Sequence, residues 1–230
     1  MNEQPSIPDT PDAPGTSGTQ AALHESLDTL APGFADPVHD TQAVFRTLLG
    51  ALSRPGTIAT IETPLPAATS ESASSSGAPR AGLAVFAALL TLCDYATPVW
   101  LAQPDAALAA ALRFHADAPL AGTPREAAFA YVHDAAALPP LDAFACGTPE
   151  SPEQSATVFV RVESLTDGPS ITLRGPGIES THAIAPAGLP ARFWEDRAEL
   201  APLFPCGIDF YFVCGAQIMG LPRTTRVEVN

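Results

Sequence analysis

The chain has 230 residues with a hydrophobic fraction of 46%, so it carries enough apolar material to bury a core. Its 25 acidic and 11 basic residues give a net charge of −14, which argues against broad binding to nucleic acid or to an anionic membrane. All eleven basic residues are arginine, and the missing lysine excludes a Schiff-base lysine, a Walker-type lysine and a lysine general base.

The first third of the chain predicts an unfolded tail followed by a helix. Residues 1–33 are rich in Pro, Gly, Ser and Thr and have five acidic residues without a basic one, which predicts a disordered, dispensable acidic tail. We expect one domain from residue 34 to residue 230. Asp36 as N-cap and Pro37 as first helical residue predict a helix that ends at Pro55.

The middle of the chain alternates strands and helices. A strand at 57–61 precedes a Ser-rich, low-complexity segment at about 66–82, which predicts a flexible loop. The predicted elements that follow are a buried helix, a strand, an Ala-rich helix, a strand and a helix at 83–93, 98–101, 104–114, 129–132 and 135–145.

The last third is rich in strands. Alternating valines predict a half-exposed strand at 157–163, and the turn that follows predicts that 171–174 pairs with it. A helix at 190–200 and a central strand at 208–214 come next, and a tight turn leads to a final strand at 226–229. These elements predict an α/β fold, in which a single domain has a mixed sheet flanked by helices.

The usual catalytic motifs do not occur in the sequence. Phosphate-loop, dinucleotide-binding, serine-hydrolase and zinc-protease patterns are absent, and we predict neither a catalytic centre nor a metal site. The four cysteines are scattered without a C-x-x-C pair, which is typical of a reduced, cytoplasmic protein. No apolar run reaches the roughly 18–20 residues that cross a bilayer, and no secretory signal is evident.

Arginine and histidine supply the remaining candidate chemistry. If such side chains converge, they form a site for a phosphate or carboxylate, because guanidinium binds these groups through two parallel hydrogen bonds. The alternative is a set of scattered arginines that pair with carboxylates such as Asp40, Asp94 or Asp209. The candidates for an anion site are His39, Arg46, Arg113, His115, Arg174 and Arg223.

Seven sequence blocks occur in a fixed order along most of the chain. They are FADPVHDTQAVFR at 34–46, SRPGTI at 53–58, TPVWL at 97–101, LRFH at 112–115, LRGPGI at 173–178, FPCGID at 204–209 and LPRTTRVEV at 221–229. These blocks resemble the PhnH family, whose members are subunits of the bacterial carbon–phosphorus lyase system.

The resemblance implies a fold, a set of partners and a role. The fold is that of pyridoxal-phosphate-dependent transferases without the cofactor, and the missing lysine independently excludes an internal aldimine. The partners are PhnG, PhnI and PhnJ in a core complex, with a homodimer when the chain is alone. With PhnG, PhnI and PhnL, family members support the step in which an alkylphosphonate displaces adenine from ATP to give ribose 1-phosphonate 5-triphosphate. The nucleosidase-type chemistry of that step belongs to PhnI.

Three functions therefore remain open from the sequence. We expect a subunit without its own catalytic centre. One alternative is an enzyme that acts on a nucleotide or phosphonate through the Arg/His anion site. The other is a protein that binds a phosphonate or nucleotide at that site without turning it over.

Overall fold

The computed structural model describes residues 30–63, 65 and 80–229. The acidic tail up to residue 29 and residues 66–79 of the Ser-rich loop lie outside the described residues, so what we expect of them stays a prediction. The described chain is already packed where it begins, because Ala31 is only 3% exposed and belongs to the core. The predicted tail boundary at residue 33 is therefore too late, since residues 30–33 are part of the folded chain.

The described residues form a mixed sheet flanked by helices, as the sequence predicts. Their nine strands are, in chain order, β1 (Ile58–Thr60), β2 (Val99–Leu101), β3 (Phe129–Val132), β4 (Thr157–Arg161), β5 (Ile171–Arg174), β6 (His182–Ile184), β7 (Asp209–Cys214), β8 (Gln217–Leu221) and β9 (Arg226–Val229). Their four α-helices are α1 (Pro37–Ser53), α2 (Leu83–Leu92), α3 (Ala106–Ala116) and α4 (Phe193–Glu199). Within these ranges we find no helix with the length and apolar character that a membrane crossing requires.

The strands belong to two sheets. The larger sheet has six strands in the order β1-β8-β7-β4-β3-β2, in which β2, β3, β4 and β7 pair in parallel and β8 pairs antiparallel with both β7 and β1. The smaller sheet has three antiparallel strands in the order β6-β5-β9.

The two faces of the larger sheet carry separate cores. Helices α1, α2 and α3 cover one face, where they pack on Tyr131, Phe159 and Tyr211. Helix α4 and the smaller sheet cover the other face, where they pack on Phe210 and Phe212. Successive side chains of a strand point to opposite faces, so the central strands are buried on both sides.

Local signals place helix α1 where the sequence predicts it. The Asp36 side chain accepts a hydrogen bond from the backbone N–H of His39 (3.2 Å), and Pro37 is the first helical residue. The helix ends at Ser53, and its buried face is held to β7 by the Tyr211 hydroxyl, which donates to the Leu48 carbonyl (2.9 Å).

Two predictions about strands are wrong. Strand β4 is not half exposed, because Val158, Phe159 and Val160 are all fully buried between the two cores. Strand β5 does not pair with β4 but with β6 and β9, because β3 and β7 already occupy both edges of β4.

The prediction of a helix at 135–145 is also wrong. The segment forms two single 3-10 turns, Ala135–Ala137 and Leu141–Ala143. The two prolines at 139 and 140 separate them, because proline lacks the N–H that a continuous helix needs and disfavours the helical conformation of the residue before it.

Candidate functional site

The two candidate histidines make structural contacts, His39 within its own helix start and His115 with a residue distant in sequence. His39 Nδ1 lies 2.8 Å from a carboxylate oxygen of Asp36, and the backbone and ring hydrogen bonds from His39 lower the pKa of that carboxyl. His115 Nε2 donates to the Ala31 carbonyl (2.9 Å), and a side chain at Gly33 would clash with the ring because its Cβ would lie 2.9 Å from Nδ1. His115 therefore holds the beginning of the described chain against α3.

Two candidate arginines pair with carboxylates, which is the alternative that the sequence left open. Arg223 Nη2 donates to Asp209 Oδ2 (2.6 Å), and its Nη1 donates to the Pro152 carbonyl (2.7 Å). Arg174 Nε donates to Glu228 Oε1 (3.1 Å) on the neighbouring strand β9, where both side chains are about half exposed.

The other two candidate arginines are exposed and form no ion pair within the part of the chain that the structure describes. Arg113 lies in the last turn of α3, where its positive charge interacts favourably with the negative end of the helix dipole. Arg46 Nη2 donates to Gln42 Oε1 (3.3 Å) on the same face of α1. It lines a cleft of about 310 Å³ together with Arg54, which the sequence analysis did not select.

The six candidates thus lie on four separate parts of the fold. His39 and Arg46 share α1, Arg113 and His115 share α3, Arg174 ends β5, and Arg223 follows β8. Their hydrogen bonds go to different neighbours, and the convergence of all six on one anion stays a prediction.

Sequence reasoning missed a polar cluster at the carboxyl ends of the parallel strands. The buried Tyr131 hydroxyl lies 2.8 Å from His133 Nδ1. The Gln103 side-chain oxygen accepts from the backbone N–H groups of His133 (2.9 Å) and Asp134 (3.2 Å). Gln103 and His133 stand just beyond the ends of β2 and β3, and that repeated position is the signal that would have found the cluster.

The electrostatics of this cluster are dominated by burial and by two arginines. Burial, followed by the positive charges of Arg161 and Arg80, lowers the pKa of His133 and keeps the ring neutral at physiological pH. Burial raises the pKa of Tyr131, so its hydroxyl keeps its proton.

Comparison with known proteins shows to which family the chain belongs. Residues 32–228 match the family described as "Bacterial phosphonate metabolism protein (PhnH)". The chain belongs to the PhnH family. The matched region covers every described helix and strand apart from the last residue of β9.

Two relatives illustrate the range of the PhnH family. The chain is 41% identical over 197 residues to "Alpha-D-ribose 1-methylphosphonate 5-triphosphate synthase subunit PhnH" of Rhizobium meliloti (strain 1021), which covers 85% of this chain and 94% of the relative. It is 38% identical over 84 residues to "Putative C-P lyase subunit protein HtxG" of Stutzerimonas stutzeri, which covers 36% of this chain and 43% of the relative.

Proposed function

We propose that the chain is the PhnH subunit of a multi-subunit carbon–phosphorus lyase system, in which it supports formation of ribose 1-phosphonate 5-triphosphate. The observation that carries this proposal is the 41% identity to the Rhizobium meliloti synthase subunit over 94% of that relative. So long a match includes both sheets and both cores, so the whole fold rather than one motif is shared.

The finer proposal is that this subunit has no catalytic centre of its own and works with PhnG, PhnI, PhnJ and PhnL. Support comes from the candidate side chains, since His115 and Arg223 are engaged in bonds that hold the fold together. Further support comes from helix α1, where Val38, Phe45 and Leu49 are 64%, 48% and 56% exposed along one face. Apolar surface of this kind is typical of subunits that are buried in assemblies.

The proposal includes a homodimer for the isolated chain and a fold related to pyridoxal-phosphate-dependent transferases without their cofactor. The chain has no lysine, so it has no amine in a side chain that would form the internal aldimine. Incubation with pyridoxal phosphate followed by borohydride should leave no cofactor absorbance on any of its side chains, and a reduced adduct on an internal peptide would contradict this part of the proposal.

Co-expression tests the assembly. The tagged chain should retain PhnG, PhnI and PhnJ through affinity and size-exclusion chromatography, and the chain alone should elute as a dimer by light scattering. Arg46→Ala is a useful variant because the residue lies in an exposed cleft away from the cores. It should co-elute like the wild type, whereas a chain that fails to retain any partner would contradict the proposal.

One observation favours the alternative of a phosphonate- or nucleotide-binding protein. Arg46 and Arg54 line one cleft with the hydroxyl-bearing Thr47, Thr57 and Thr60, and neither arginine has a carboxylate partner among the described ion pairs. In that case Arg46→Ala weakens phosphonate or nucleotide binding about tenfold without a change in melting temperature. Unchanged binding with Arg46→Ala would eliminate this cleft as the functional site.

A further inference from the structure

The parallel strands bring three polar side chains next to one another at the carboxyl edge of the larger sheet. Leu101 of β2 is paired with Tyr131 of β3, and Val132 of β3 is paired with Val160 of β4. Continuing the same register places Gln103, His133 and Arg161 in one row across three neighbouring strands. The hydrogen bond from the His133 backbone N–H to the Gln103 side chain agrees with the first two positions of that row, and the positive charge of Arg161 acts on His133 at the third.

The chain leaves the sheet in opposite directions on the two sides of this row. After β2 it forms α3, whose Leu108 and Leu112 belong to the core that α1 and α2 also cover. After β3 it crosses the opposite face, where Leu141 and Phe144 belong to the second core. Open α/β sheets commonly bind their ligands at the carboxyl edge where the connections of neighbouring strands diverge in this way.

Gln103 presents a hydrogen-bond donor that the protein leaves unused. Its side-chain oxygen accepts from two backbone N–H groups, and this fixes which end of the amide is the nitrogen. The Nε2 atom is buried and finds no hydrogen-bond partner in the described ranges. An unsatisfied buried donor is costly, so it marks a place where a ligand or water supplies the acceptor.

His133 supplies a second donor on the same side. The buried Tyr131 hydroxyl lies 2.8 Å from His133 Nδ1, and no other described acceptor is within reach of its proton. We therefore assign the hydroxyl as the donor, and this places the proton of the neutral ring on Nε2. No described residue bonds to Nε2, so this N–H is available to an acceptor.

An exposed guanidinium at the end of the row is available to an anion. The guanidinium of Arg161 is exposed and forms no ion pair within the described residues. Arg80 adds a second positive charge, and its guanidinium donates to the Pro104 carbonyl. The carboxylates of Asp105 and Asp134 act on His133 as well and offset part of this positive charge. Both are held by backbone N–H groups, since Asp105 accepts from Leu108 N (3.0 Å) and Arg80 N (2.9 Å) and Asp134 accepts from Ala136 N (3.0 Å).

We propose that the carboxyl edge between β2 and β4 binds a phosphoryl or phosphonyl group, which accepts hydrogen bonds from Gln103 Nε2, His133 Nε2 and the Arg161 guanidinium. Such a group has enough acceptor oxygens for all three donors, and its hydrogen bond to the Arg161 guanidinium is assisted by opposite charge. The site rests on this geometry alone; only the choice of a phosphonate as probe rests on the proposed function.

Calorimetry on the full chain tests the site with three probes: inorganic phosphate, methylphosphonate and ATP. We expect saturable binding with a Kd of about 1 mM or tighter for at least one probe. The probe that binds most tightly shows whether the ligand of the site is free phosphate, a phosphonate or a nucleotide. If the wild type binds none of them, the proposal is overturned, and the assembly expected from the proposed function is unaffected because it is measured by co-elution without ligand.

Three substitutions locate the binding. Arg161→Gln removes one charge-assisted hydrogen bond and should weaken binding about tenfold or more. Gln103→Glu keeps the acceptor for both backbone N–H groups but replaces the donor with a negative charge, so binding should be lost while the fold is retained. Arg192→Gln is the matched control, since it removes the same charge at the exposed pair with Asp196 beside α4 and should change Kd less than about twofold.

If Arg161→Gln and Arg192→Gln weaken ligand binding equally, the site is overturned. Binding would then depend on the net charge of the protein and not on the position of the arginine. If Arg46→Gln weakens binding and Arg161→Gln does not, the anion binds in the α1 cleft, and the proposed site is also overturned.

A direct readout comes from the His133 ring signals in NMR, which are assigned by their loss in His133→Gln. Phosphate should shift these signals and raise the pKa of His133. Unchanged ring signals at a high phosphate concentration would refute the assignment even if Arg161→Gln and Gln103→Glu do not fold.

Discussion

Asp209→Asn should destabilise the protein strongly, because the Asp209 carboxylate is the centre of a nearly buried ion pair. Its oxygens accept from the Arg223 backbone N–H (2.7 Å), from Nε (3.2 Å to each oxygen) and from Nη2 (2.6 Å). The two side chains are only 17% and 16% exposed. The pair ties the first residue of β7 to the segment that connects β8 with β9.

The magnitude follows from leaving positive charges buried without their partner. Asparagine keeps the shape of the carboxylate but removes its charge, and breaking a buried pair in this way costs about 3–5 kcal/mol of unfolding free energy. The buried Arg197 adds to the effect: burial lowers its pKa to about 10, and the negative charge of Asp209 opposes that shift. For a chain of this size the loss corresponds to a decrease in melting temperature of about 6–20 °C.

Urea unfolding followed by the fluorescence of the buried Trp194 measures the loss. The control is Glu228→Gln, which removes the carboxylate of the Arg174 pair, where the side chains are 52% and 55% exposed. Because solvent screens exposed pairs, that variant should lose less than about 1 kcal/mol. Equal effects of the two substitutions would refute the structural role that we assign to Arg223.

Three further predictions test the packing. Gly220→Ala should destabilise the protein by about 2–3 kcal/mol in thermal melts, because the added Cβ would lie 2.5 Å from the Ala51 carbonyl oxygen in α1; unchanged melting would contradict the contact between α1 and β8. A chain that begins at residue 30 should melt like the full chain, whereas one that begins at residue 34 loses the buried Ala31 and the bond to His115 and should lose about 1–2 kcal/mol. Burial raises the pKa of the Cys93 thiol to about 12, so iodoacetamide at about pH 8 should leave Cys93 unlabelled in peptide mass spectrometry until the protein unfolds; rapid labelling of the native chain would disprove its burial.

Features that depend on neighbouring residues could be predicted from the sequence. The start of α1 depends on Asp36 and Pro37, which are adjacent, and the central position of β7 follows from a run of apolar residues that needs burial on both faces. The pairing of β5 could not be predicted, because it depends on which strands already occupy the edges of β4.

The candidate site also depends on contacts between residues that are distant in sequence. Pairing of Arg223 with Asp209 was one of two open alternatives, and only the folded structure shows that the turn after β8 brings the two side chains together. Gln103, His133 and Arg161 come from three strands that are distant in sequence, and they become neighbours only through the parallel register of the sheet. The fixed spacings of a motif cannot show that relation, although polar residues at or just beyond the carboxyl ends of predicted strands do indicate it.

Adenine release from ATP and methylphosphonate tests the central claim most directly. Three mixtures are compared. The first contains PhnI, PhnG, PhnL and this chain, the second contains the same three proteins without this chain, and the third contains this chain alone. The account predicts that adenine appears with the complete set, decreases strongly when this chain is omitted, and is not released by the chain alone. Adenine release by the isolated chain, or undiminished release when it is omitted, would contradict its role as a required subunit without a catalytic centre.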